Sequence, residues 1–171
     1  MPQRIARDLP IAELTLRRYE KPAELRGREL VRKLCLSVGL LQPGDSRDVI
    51  VDILMVLLQA RTQKQELSSD AIREQVIEAR KQHSLPALGI AHSNVRRQLK
   101  RLKELMLVDA TAAGYRIAEF APLSEVFREK GESFLLNAIL SRVKEYLRRT
   151  DEAFSGAEPA PAPSETPLQK P

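Results

Sequence analysis

A mainly helical fold carrying one small β-hairpin is predicted for this chain of 171 residues. Three observations predict it. Apolar residues recur at helical spacing through most of the sequence up to position 154. The interruptions fall at turn-forming stretches such as "QPGDS" (42–46) and "HSLPALGIAH" (83–92). One segment, "LVDATAAGYRIAEF" (107–120), places strand-forming residues on both sides of a glycine turn.

Taken in order, residues 1–21 are basic and irregular until Leu14 and Leu16 alternate with Thr15 and Arg17, which predicts a short strand. Pro22 suits the first position of a helix over 22–41, with Leu30, Leu34, Val38 and Leu41 on one face. Gly27 weakens its first turn, since glycine costs about 1 kcal/mol against alanine. Beyond the turn at 42–46, Asp45 or Ser46 is placed to cap a helix over 47–61. That helix is apolar on most sides, so elements before and after it in sequence must cover it. Its Asp52 then needs a solvent slit or a bonding partner, because an unpaired buried carboxylate is costly.

A helix over 67–82 follows, with Ser68, Ser69 or Asp70 as cap and Ile72, Val76 and Ala79 on one side. Its other residues, Arg73, Glu74, Glu78, Arg80 and Lys81, alternate in sign as a solvated face does. Ser93 is read as the N-cap of the next helix. Residues 122–154 are helical again and bent near Gly131, with Leu136, Leu140, Val143 and Leu147 spaced as a seam for a partner helix. The Pro- and Ala-rich tail from 155 is expected to be disordered. The organisation expected is an N-terminal extension (1–45), a central unit (46–121), a C-terminal helical segment suited to dimerisation (122–154) and the tail (155–171).

Composition narrows the function. Cys35 is the only cysteine, so neither an intrachain disulfide nor a thiolate metal cluster can form, which fits a reducing cytoplasm. Cys35 lies between Leu34 and Leu36, a setting for burial rather than redox sensing. "MPQRIARDLPIAEL" lacks the long apolar core of a signal peptide. The most apolar run, 49–60, falls short of the ~20 residues that span a bilayer, so no membrane partner is expected. His83 and His92 have no further ligands at compatible spacing, and no metal or cofactor is expected. With no glycine-rich phosphate loop and no nucleophile beside a base, a non-enzymatic role is expected. Aromatic residues are 4% of the chain and Trp is absent, which argues against stacking on single strands. The formal charge of +5 favours polyanionic partners, but its placement carries more weight than its size.

That placement is uneven. "SNVRRQLKRLKELMLV" (93–108) holds five basic residues between Asn94 and Lys103 and no acidic one. On a wheel of about 100° per residue, Leu99, Leu102 and Met106 fall within about 40° of Val95. Lys103, Arg96, Lys100, Arg97 and Arg101 fall at roughly 80° to 240° on the same wheel. Arg96 with Lys100, and Arg97 with Arg101, are like-charge pairs at i, i+4, which cost a few tenths of a kcal/mol each. A strip that repels itself is explained best by an anion facing it.

The order of helix, capped helix, basic helix and hairpin, with "SNVRRQLKRLKELMLVDATAAGYRI", resembles the winged helix-turn-helix domain of bacterial and archaeal transcriptional regulators over 48–120. Those families open the third helix with Ser or Thr, repeat leucines along it, and step through Leu-Val into a wing ending in a Gly-Tyr-Arg-Ile-like strand. Met106 stands where many relatives have glycine, and the connection before the third helix is longer than a tight turn. The resemblance implies a double-stranded DNA-binding regulator. Ser93, Asn94, Arg96 and Arg97 would sit nearest the base edges, and Lys100, Arg101 and Lys103 nearer the phosphates. The hairpin tip, Thr111 to Gly114, has no Arg or Lys, whereas Arg116 behind it would reach a phosphate. A homodimer is expected, because symmetric half-sites double the contacts of one short basic helix. The rival reading is an interaction module of the same fold whose basic strip meets an acidic protein surface; an RNA-binding adaptor is a third.

Overall fold

A computed structural model describes residues 8–156. The expected tail therefore lies, from 157 onward, outside the described residues. Four helices form the body: α1 (Gly27–Ser37), α2 (Val49–Thr62), α3 (Ser69–Gln82) and α4 (His92–Glu104). An antiparallel hairpin, β1 (Val108–Ala110) and β2 (Tyr115–Ile117), follows, in the register Val108 to Ile117, Asp109 to Arg116 and Ala110 to Tyr115. After a short 3-10 turn (Ala118–Phe120), α5 (Leu123–Val126) continues through a π-helical stretch (Phe127–Leu136) into α6 (Asn137–Phe154).

The apolar helix is central, as its sequence requires. Val51, Ile53, Leu54 and Leu57 of α2 are fully buried. Their cover comes from Cys35 and Leu36 of α1, Ile72 and Val76 of α3, Val95, Leu99 and Leu102 of α4, and Ile117 of β2, with Val126 closing the same core from α5. Segments from both sides of α2 in sequence thus share one core. Buried Leu36, Leu40 and Leu41 carry the inner face of the α1 region, Leu34 and Val38 pack partly against the core, and Leu30 is 41% exposed.

Several local expectations change. Residues 14–17 form no strand: they run as an extended strap along α1, with the Arg17 amide donating to the Ser37 carbonyl at 2.8 Å. No neighbouring strand lies there among the described residues, and the strap is held instead by the Arg17 guanidinium on the carbonyls of Leu36 (2.8 Å) and Leu41 (3.2 Å). Pro22 opens a turn, closed by Leu25 N–H to its carbonyl, and α1 starts only at Gly27, where φ is +53°. Asp45 accepts from the Gln42 amide within the turn, so the residue preceding α2 is Asp48. Ser68 does cap α3, accepting from the Ala71 amide at 3.1 Å.

The alternating charges of α3 conceal a buried member. Arg80 is 3% exposed and forms ion pairs with Asp52 of α2 and, at 3.4 Å, with Asp48. Arg28 of α1 completes the cluster, 2.8 Å from Asp52 and 2.9 Å from Asp48. Asp52 is therefore paired from both sides. Burial pushes the Asp48 carboxyl up, but the hydrogen bond and charge of Arg28, then of Arg80, outweigh it and hold Asp48 below its ordinary value of 3.8. A carboxylate depressed in the folded state adds stability above its unfolded pKa and loses it as pH falls through the folded one. Unfolding free energy is thus expected to be flat near neutrality and to drop below about pH 4, checked by urea titrations across that range.

Met106 occupies a backbone position that favours glycine. The Leu107 amide donates to the Leu102 carbonyl (3.1 Å) and the Met106 amide to the Lys103 carbonyl (2.8 Å), the bond pair of a Schellman stop. Such a stop needs a left-handed residue, and Met106 has φ +62°. A side chain pays about 1–2 kcal/mol there. Met106→Gly is expected to stabilise the protein by about 1 kcal/mol, seen as a rise of about 2–4 °C in Tm. Gly114 is required for a different reason: a Cβ there would lie 2.4 Å from the Leu67 carbonyl oxygen, because Leu67 pairs with Tyr115 as a single bridge beside the hairpin. Gly131 is buried with the Phe127 ring 2.8 Å from where a Cβ would stand, and near the expected bend the helix takes π-type hydrogen bonding over Phe127–Leu136.

Candidate nucleic-acid interface

The candidate surface is the outer face of α4. Val95, Leu99 and Leu102 point into the core and fix the helix's rotation, which leaves Ser93, Arg96, Arg97, Lys100 and Lys103 exposed. The helix starts two residues earlier than a Ser93 cap would place it. Ala91 precedes it without a side-chain cap, and Ser93 sits inside the first turn rather than capping it. The first turn has no acidic residue, so the positive end of the helix adds to the cations beside it.

Arg96 and Lys103 have no ion-pair partner among the described residues. Lys100 lies 3.8 Å from Glu104, with both side chains mostly exposed, and such a pair is worth under about 1 kcal/mol. Arg97 donates to the Asn94 side-chain oxygen at 2.7 Å. That oxygen also accepts from Gln98 at 3.1 Å, while the Asn94 amide nitrogen donates to the Gly89 carbonyl at 2.5 Å. Asn94 was a candidate adenine reader, and that role needs both amide atoms free. Both are committed, so Asn94 is placed to orient Arg97 and to anchor the connection before α4.

Two candidate cations turn inward. Arg101 is half-buried, donating to Gln98 (2.8 Å) and to the Gly39 carbonyl (3.3 Å). Burial pushes the Cys35 thiol up to about 12, against the opposing positive charges of Arg101 and Arg28, so this cysteine is inert. Arg116 bonds Glu66 at 3.2 Å, lies 3.6 Å from its cross-strand neighbour Asp109 and stacks over Phe120 at 5.0 Å. Its charge is compensated within the fold rather than aimed outward. Thr111, the one side-chain donor at the hairpin tip, is also engaged by Glu66, at 2.8 Å.

The long connection between α3 and α4 is tied down at several points. Arg80 Nε donates to the Pro86 carbonyl (2.9 Å), Arg73 Nε to the Ile90 carbonyl (2.7 Å), and the Leu85 amide to the Arg80 carbonyl (2.9 Å). With Asn94 on Gly89, these bonds set where α4 begins. Gln98 was missed as a site residue, although its spacing from Asn94 and Arg101 could have shown the link. Glu66 carried no pattern that would have found it.

His92 contacts Asp70 at 3.1 Å, and no cluster of three metal-ligating side chains occurs among the described residues. No helix among them is long and apolar enough to cross a membrane. Comparison with protein-family models, curated proteins and solved structures gives no significant match to this chain.

Proposed function

We propose that residues 48–120 act as a winged helix-turn-helix that binds double-stranded DNA, with α4 in the major groove, and that the protein regulates transcription without catalysing a reaction. The observation that carries this reading is the segregation on α4: Arg96, Arg97, Lys100 and Lys103 stand on an uncovered face with no carboxylate in the first three turns. Helices α2, α3 and α4 packed on one core, followed directly by a hairpin with Leu67 beside it, are the parts such a domain needs. Arg97, held by Asn94, is the best-oriented candidate for bidentate contact with guanine, and Arg96 lies beside it. Lys100 and Lys103 supply phosphate contacts, which give affinity without sequence choice. Arg101 and Arg116 serve the fold in this reading and leave the contact set.

That assignment gives a specific test. Arg116→Gln is expected to lower thermal stability yet keep affinity for a mixed-sequence duplex within about twofold. Lys103→Gln is expected to leave stability unchanged and weaken binding by about 1 kcal/mol, and to lower the salt slope by about one ion. Fluorescence anisotropy with a labelled duplex, beside thermal melts, reads both. Equal affinity for parent and Lys103→Gln would count against α4 as the contact face.

A further inference from the structure

Helix α6 is the least explained part of the molecule. It runs for 18 residues, about 27 Å, and buries none of them. In proteins most helical stability comes from packing of an apolar face rather than from intrinsic propensity. Leu140, Val143, Tyr146, Leu147 and Phe154 are 43%, 48%, 70%, 60% and 86% exposed. Together they leave on the order of 600 Å² of side chain open per helix, close to the ~800 Å² each partner contributes to a standard interface.

The stripe has a regular period. With Leu140, Leu147 and Phe154 as a positions, Val143 and Thr150 fall at d, as does Leu136 at the end of the π-helical stretch just before α6. The flanks are sorted. The g side carries Ile139 and Tyr146, and the e side carries Lys144 and Asp151. The outer charges pair within the helix: Arg142 with Glu145 at 2.9 Å, Arg148 with Glu152, and Arg149 with Glu152 at 3.3 Å. Lys144 and Asp151, by contrast, have no ion-pair partner among the described residues.

We infer that α6 is covered by α6 of a second copy in antiparallel orientation, opposing Leu136 to Phe154, Leu140 to Thr150 and Val143 to Leu147. Antiparallel pairing sets e against e and g against g. It joins the two apolar flanks to each other and brings the opposite charges of Lys144 and Asp151 from both copies onto one side. Parallel pairing sets g against e, which would press Ile139 and Tyr146 onto unpaired charges. The self-complementary flank is what selects a second copy over an unrelated partner. The inference stands on α6 alone and is independent of what α4 binds.

The test uses the full chain. Sedimentation over a range of concentrations is expected to give a dimer for the parent and a monomer for Leu147→Glu, which keeps the cooperative urea transition of the body because Leu147 lies outside the core. Orientation is read by oxidation of Leu136→Cys and Phe154→Cys chains. Mixed, they are expected to cross-link across the pair, and each alone is expected to cross-link far less. Cys35 gives no background because it is buried. A parent that stays monomeric at every concentration, a Leu147→Glu chain that remains dimeric, or self-cross-linking of each single variant equal to that of the mixture would overturn the inference.

Discussion

Arg80→Met is expected to destabilise the protein by about 3 kcal/mol, a fall of roughly 10 °C in Tm, because it leaves a buried carboxylate short of one of its two cations. Asp52 is 4% exposed and depends on Arg28 and Arg80 together. Met fills the volume of the Arg stem without its charge, so the loss reports pairing more than packing. Asp52→Leu in the same chain is expected to recover much of the stability, since replacing both partners of a buried pair by apolar groups is often close to neutral. The coupling between the two changes, measured by urea unfolding of the four variants, is expected to exceed 1 kcal/mol. A second consequence follows from the Arg80 Nε bond to the Pro86 carbonyl. Amide exchange over 85–91 is expected to speed up in Arg80→Met by more than the global stability loss explains. The ionic cluster joining α1, α2 and α3 therefore also holds the approach to α4.

The double reversal Arg96→Glu/Arg97→Glu is expected to reduce duplex affinity more than 100-fold, about 3 kcal/mol, while leaving stability nearly unchanged. Both side chains are exposed, neither forms an ion pair among the described residues, and the core side of the helix is untouched. The magnitude follows from two positions, each worth about 1–3 kcal/mol where it pairs with a base, with repulsion from phosphates added. Asn94→Ala separates orientation from contact. Releasing Arg97 is expected to cost about tenfold in preference among sequences but little in non-specific binding, because the charge remains. Competition between duplexes that differ at single guanines reads that preference.

Much of this arrangement was legible in the sequence because it depends on angle along one helix. The all-round apolar character of 49–60 announced a central helix, and the wheel over 93–106 separated Val95, Leu99 and Leu102 from the cations. Gly114 and its flanking residues announced the hairpin. What could not be read depends on which surfaces meet. Arg80 sits among residues of alternating sign, and nothing in that local pattern distinguishes it from Arg73 or Lys81; its burial follows from Asp52 facing it across two helices. Asn94 fits a base reader and a loop anchor equally well until Gly89, Arg97 and Gln98 are placed around it. Arg116 looked free because its partner Glu66 lies far away in sequence. The apparent strand at 14–17 failed because alternation alone does not supply a neighbouring strand.

The central claim is that α4 presents uncompensated positive charge to a duplex. Its most direct measurement is the salt dependence of binding to a mixed-sequence duplex. Four exposed cations predict a line in log affinity against log salt with a slope of about −3 to −4 per α4 engaged. A folded protein that shows no duplex binding at low salt, or binding whose affinity does not change with salt, would contradict it.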